Sequence, residues 1–199
     1  MGQPKESLPF GDETLLERVV RLVGTVVRTV VVVGAPAPEQ PFPAFPVDVK
    51  TVRDPVFGRG PLQGIVTGLE ALPDSIELAY VTAVDTPFLN PRWIDHLAER
   101  ISNDDDIIAP FVGGRYHPLS AIYRRDRVLP AARSMLGQEQ LRVTGLLEYL
   151  RTRGIPEAEM EKIDPGFQSL RNLNTPEDYH AALVDAGLAG PHRATGPTS

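Results

Sequence analysis

The stretch TVVRTVVVVG (25–34) constrains the fold more than any other part of the chain. Its β-branched residues favour extended backbone, and a strand apolar on both sides belongs inside a sheet covered on two faces. Just before it, DETLLERVVRLVG (12–24) sets Leu15, Leu16, Val19, Val20, Leu22 and Val23 at helical spacing, with Gly24 as a stop. The alternation continues. Further strands are expected at 47–52, 77–84, 104–110 and 158–163. Helices are expected from Pro61, at 91–102, 126–136 and 142–153, and from an N-cap at Thr175 with Pro176 at its first position. GGRYHPLSAIYRR (113–125) reads as a turn followed by an extended segment, and DDD (104–106) as a solvated approach to a strand. Strands alternating with helices imply an α/β, Rossmann-like three-layer sandwich with a mostly parallel sheet. A single domain over 1–187 accounts for the chain, with 188–199 as a disordered tail.

Composition narrows the chemistry. The formal charge of −6 argues against nucleic acid as the main partner while leaving room for a local phosphate pocket. With 0 cysteines there are no disulfides, thiolate metal sites or Cys nucleophile, in keeping with a reducing cytoplasm. No apolar run approaches the ~20 residues that span a bilayer, so a soluble, cytoplasmic protein without a membrane partner is expected.

In open parallel sheets ligands sit beyond the carboxyl ends of the strands, so the loops 34–46, 53–60, 85–89 and 110–118 carry weight. In GRGPLQG, Gly58, Gly60 and Gly64 flank a helix start. They serve either a tight loop with helix–sheet packing at Gly64 or close backbone approach to an anion. In VTAVDTPFL a strand delivers Asp85 at its end, where a carboxylate either holds Mg²⁺ or accepts bonds from its own turn. Lys5, in the opening MGQPKESLPFG, is either a phosphate-neutralising cation or a solvated surface lysine. Asp54 ends another strand, and His117 before Pro118 is placed to bond locally.

The ordered set MGQPKESLPFG…TLLERVV, VVVVG, VRDP…GRGPLQGI, VTAVDTPFL, RYHPLSAIYRR and SLRNLNTPEDY resembles the molybdenum cofactor guanylyltransferase family, one of the nucleotide-diphospho-sugar-transferase-like nucleotidyltransferases. The resemblance covers residues 1–186. It implies transfer of GMP from Mg·GTP to molybdopterin with release of pyrophosphate, and a recipient molybdoenzyme or cofactor-carrier protein. It implies catalytic roles for Lys5 and Asp85, and Asp85 as the metal ligand. It assigns nucleotide binding to Gly2, Lys5, Asp54, Gly60, Pro61, Leu62, Gly64 and Asp85, and the acceptor side to His117, Pro118, Asn172 and Asn174. Related readings are a same-fold enzyme with another nucleotide or acceptor, such as the cytidylyl branch, and a non-catalytic nucleotide-binding homologue.

Two departures stand out. Gly34 replaces a family asparagine. The family's signature, Leu-Ala-Gly-Gly-x-Ser-x-Arg-Met-Gly-x-x-Lys after an apolar strand, is present here only from its Met-Gly. The resemblance therefore leaves the first family strand and the base-recognising segment missing from these residues. It reads Met1 as the motif's internal methionine with coding sequence upstream, and expects VVVVG to have an unpaired edge.

Overall fold

The N-terminal helix begins where its cap can be built. In the computed structural model, which describes residues 4–36, 42–43, 45 and 49–188, α1 is Leu15–Gly24. Thr14 and Glu17 cap it reciprocally: the Thr14 hydroxyl accepts from the Glu17 amide at 3.2 Å, and the Glu17 carboxylate accepts from the Thr14 amide at 2.7 Å. Residues ahead of the cap form a small antiparallel ribbon, β1 (Pro9–Phe10) with β2 (Glu13–Thr14). The helix thus starts at Leu15, the first of the apolar positions at helical spacing, and ends at Gly24 as expected. At its other end the amides of Thr25, Val26 and Val27 still bond back to the carbonyls of Leu22 and Val23. Those bonds use up the first half of the valine run, so β3 is only Val30–Gly34.

β3 pairs in parallel with β4 (Val49–Arg53), from Val30↔Val49 to Gly34↔Arg53. A second sheet holds β5 (Leu78–Thr82), β6 (Ile107–Val112), β7 (Arg115–Tyr116), β8 (Ser120–Arg124) and β9 (Thr152–Pro156). β8 lies between β5 and β6, antiparallel to both, and β9 runs parallel to β6. Hence β5, β6 and β9 share one direction, with β8 and the short β7 reversed. Among the described residues no ladder joins the two sheets, which meets the expectation of an unpaired edge on VVVVG. Apolar contact bridges them instead: Val19 and Val23 of α1 share a cluster with Val30 and Tyr80.

Strand alternation builds the layers. Ile107, Ala109, Ala121 and Tyr123 face α2 (Gly60–Ala71), α4 (Arg125–Gly137) and α5 (Thr144–Tyr149). Ile108, Ile122 and Ile155 face α3 (Pro91–Arg100) and α6 (Glu157–Ile163) through Trp93, Leu97 and Met160. The last helix, α7 (Pro176–Asp185), has Thr175 as its N-cap as expected, with Asp178 completing a capping box. The expected tail from 189 onward, like Gly2, lies outside the described residues.

Three local expectations are corrected. The helix expected over 142–153 ends at Tyr149, because the next residues extend along β6 with Ile107 opposite Thr152 and Phe111 opposite Pro156. The segment 158–163, expected as a strand, is helical. EAEMEKI consists largely of good helix formers, follows Pro156 at the N-cap position, and buries Met160 completely. Nor is DDD uniformly solvated. Asp104 is exposed, but Asp106 is buried and ties four elements together. Its carboxylate accepts from Arg127 of α4 at 2.7 Å and from the Arg151 amide before β9 at 3.0 Å, while its carbonyl accepts from Arg124 of β8 at 2.8 Å.

Burial alone would raise the Asp106 pKa, but these hydrogen bonds and the charges of Arg127 and Arg151 hold it below the usual carboxylate range. A depressed folded-state pKa gives stability that is complete above the unfolded value, near 4, and is lost as pH falls through the folded value. Asp106→Asn is therefore expected to cost about 1–3 kcal/mol in urea unfolding at neutral pH. The gap to the wild type should close on acidification, and a constant gap would refute the assignment.

Candidate active site

Asp85 follows β5 after a two-residue extension, in a turn that does not need its side chain. Thr86 holds that turn, its hydroxyl donating to the Ala83 carbonyl at 2.9 Å. The Asp85 carboxylate is left for other partners. Its Oδ2 accepts from Lys5 Nζ at 2.7 Å, and Lys5 Nζ also donates to Asn174 Oδ1 at 3.1 Å. Its Oδ1 is buried and accepts no hydrogen bond, the only such side-chain atom among the described residues. Of the two readings of Asp85, the self-bonded turn is thus not the one observed. Lys5 likewise is paired, not simply solvated.

The surroundings fix these groups. Lys5 opens a short 3₁₀ turn closed by the bonds Ser7 N to Pro4 O and Leu8 N to Lys5 O. Asp178 of α7 accepts from the amides of Asn174 and Thr175, and the Leu173 amide donates to the Asp85 carbonyl at 3.0 Å. Lys5, Asp85 and Asn174, all expected at the site from sequence, therefore meet from positions 80 and 169 residues apart. The residues fit a hard cation: an orphaned, buried carboxylate oxygen is an uncompensated acceptor. No cluster of three acidic, His or Cys side chains occurs among the described residues, so substrate phosphates and water would complete its shell.

The glycine loop forms a second group. Gly58 and Gly60 adopt φ values of 77° and 65°, a left-handed backbone that favours glycine. Arg59 between them is pinned to the Leu136 carbonyl and to Glu139, both at 2.7 Å. Asp54 Oδ1 accepts from the Thr67 hydroxyl at 2.6 Å, and burial raises its pKa against the pull of that bond. Pro61 sits in the exposed first turn of α2, and the Leu62 side chain is fully buried in the core. The close helix–sheet approach expected at Gly64 occurs one turn later. A Cβ on Gly68 would lie 3.3 Å from Val33, whereas one on Gly64 would meet nothing nearer than Asp54 Oδ2 at 3.9 Å. At Gly34 a side chain would collide with the Phe42 ring at 2.6 Å, over which Arg53 lies at 4.5 Å. Asp54 thus bonds within this group, to Thr67, whereas Asp85 bonds to Lys5.

A cleft of about 520 Å³ adjoins the Asp85 group. His117, Pro118 and Asn172, expected on the acceptor side, all line it, and Asn172 immediately precedes the residue bonded to Asp85. His117 is anchored by its amide to the Pro110 carbonyl and by its ring to the Val112 carbonyl. Burial lowers its pKa, with the Val112 contact opposing and the Arg115 charge adding, so the site favours the neutral ring. The Pro118 carbonyl accepts from Tyr123 at 2.7 Å. Sequence reasoning missed other cleft residues, among them Phe111, Arg115, Tyr116 and Glu148. The loop 110–118, already given weight, was the available signal for three of them, and nothing marked Glu148.

This fold is that of the nucleotidyltransferases. The structure resembles a molybdopterin-guanine dinucleotide biosynthesis protein A from Archaeoglobus fulgidus with a TM-score of 0.73 at 22% identity, covering 94% of this chain and 92% of that one. It also resembles the 2-C-methyl-D-erythritol 4-phosphate cytidylyltransferase of Thermus thermophilus with a TM-score of 0.68 at 17% identity, covering 92% and 94%. At such identities these likenesses speak for the fold alone. In sequence, a probable molybdenum cofactor guanylyltransferase of Mycobacterium bovis is 33% identical over 187 residues, 92% of this chain and 87% of that protein. Residues 1–152 match the MobA-like NTP transferase domain, and the chain belongs to that family.

Backbone strain separates the two glycines of the α2 start. Gly60→Ala is expected to lose about 1–2 kcal/mol because of its positive φ, and Gly64→Ala less than about 0.5 kcal/mol. Chemical denaturation of both variants checks this, and equal losses would contradict it.

Proposed function

We propose that this protein transfers GMP from GTP to the terminal phosphate of molybdopterin, releasing pyrophosphate, with Mg²⁺ held at Asp85. The observation that carries the proposal is the meeting of Lys5, Asn174 and the orphaned Asp85 Oδ1 beside a cleft large enough for a second substrate. The name of the mycobacterial relative supports the same reading. An oxygen of the acceptor phosphate attacks the α-phosphorus of GTP. One P–O bond forms, the bond from the α-phosphorus to the bridging oxygen breaks, and pyrophosphate leaves with the electron pair. A phosphate oxygen is already nucleophilic, so no general base is required, in line with the neutral, carbonyl-bound His117.

Catalysis is then positioning and charge neutralisation. Lys5 Nζ neutralises phosphate charge, and Asn174 and Asp85 hold its ammonium in place. Mg²⁺, when bound, offsets the negative charge that builds on the transferring phosphoryl oxygens. The loop from Asp54 to Gly64 carries the nucleotide, its positive-φ glycines leaving room for backbone contact. The product passes to a molybdoenzyme or a carrier protein, and the reaction takes place in the cytoplasm, where GTP is at hand.

The test is pyrophosphate release from purified protein supplied with molybdopterin, Mg²⁺ and each nucleoside triphosphate in turn. GTP alone is expected to react, and release with CTP alone would sink the guanylyl reading in favour of a cytidylyl one. Asp85→Asn is expected to lower turnover by about 10²-fold or more while the thermal midpoint stays within a few degrees. Near-normal turnover in that variant would rule out the metal role.

A further inference from the structure

The cleft carries two formal charges whose presence the fold does not explain. Arg115 on β7 and Glu148 on α5 both line it, and neither has a hydrogen-bond or ion-pair partner among the described residues. α5 is held by Leu146 and Leu147, which are buried, so Glu148 does nothing for the helix's packing. An exposed carboxylate in the wall of a site for a phosphate-bearing substrate works against binding, since like charges repel. It is compatible with binding only where the adjacent part of the substrate is rich in hydrogen-bond donors.

We infer that Glu148 reads the amino-pyrimidinone edge of the acceptor's ring system and so sets which end of that substrate enters first. The inference rests on the acceptor being a pterin, as proposed above. Such a ring presents an exocyclic amino group and a ring N–H side by side, matching the two oxygens of a carboxylate. Separate segments of the chain line the cleft. Asn172 marks the side next to Asp85, because the following residue, Leu173, donates to the Asp85 carbonyl. Glu148 comes from a separate segment, α5, and the β6–β8 turn supplies the third part of the lining. The phosphate end is thus drawn toward Lys5 and Asn174, and the donor-rich end is left for Glu148. Phe111 and Tyr116, an edge-to-face pair with centroids 5.0 Å apart, also line the cleft and supply an aromatic surface for the planar ring.

The test combines kinetics with a pair of probe compounds. Glu148→Gln is expected to raise the KM for molybdopterin about tenfold or more, while kcat and the KM for GTP stay within about twofold, as for loss of a charge-assisted hydrogen bond made equally in ground and transition states. Pterin and lumazine, which differ by the amino group against a carbonyl oxygen, are then compared as inhibitors of the wild type. Pterin is expected to inhibit at about tenfold lower concentration, and the preference should vanish in Glu148→Gln. An unchanged molybdopterin KM in the variant, or equal inhibition of the wild type by the two compounds, overturns the assignment of Glu148 and leaves the transferase reading standing. Wild-type protein that releases no pyrophosphate with GTP and molybdopterin overturns both.

Discussion

One carboxylate organises the chemistry of this molecule. Asp85 takes Lys5 from the start of the chain with one oxygen, receives the Leu173 amide on its carbonyl, and keeps its second oxygen buried and unshared. The Lys5 pair alone is modest as a source of stability, because the lysine is partly exposed and such pairs are worth little. What it does is locate. A positive group, an unsatisfied acceptor and a hydrogen-bonding amide are set in one place by three segments, each fixed by its own backbone bonds. An arrangement of this kind is suited to highly charged substrates, since the donors and acceptors need no reorganisation when phosphate arrives.

A comparable tie at the opposite end of the sheet serves architecture. Asp106 satisfies a helix side chain, a strand amide and a loop amide at the head of β6, and both of its carboxylate oxygens have a partner. The two aspartates therefore differ in bookkeeping. Asp106 leaves nothing over and its acidity is shifted by its partners, whereas Asp85 retains an unused oxygen. Unused capacity in a buried polar group marks a place for something from outside the chain.

Much of this was legible in the sequence because it was written as periodicity and punctuation. The Thr175–Pro176 start of α7, the Pro61 start of α2 and the apolar runs of β3, β5 and β6 each carry a local signature. The strand at 152–156 was not legible. TRGIP has weak strand character and becomes one because β6 offers it a parallel partner, a non-local cause that no short window contains. Asp106 was misread for the same reason: three adjacent aspartates look alike until Arg127 and Arg151 reach one of them. At the site, Lys5 and Asp85 were each ambiguous alone, and their order among the other motifs singled them out. Glu148 had no motif around it and emerges only from the shape of the cleft.

The reversed strand at the middle of the larger sheet also sets an order of events. β5 and β6 make no ladder with one another, and both bond to β8, which comes after them in the chain. A nascent polypeptide that has emerged only as far as β6 holds two future neighbours with the space between them vacant. Closing the sheet requires β8 to come back and intercalate, with the chain from residue 82 to residue 120 as the closed loop on the β5 side, so the entropy of that long closure is spent before the central pairing returns anything. In this molecule the keystone follows both of the strands it joins.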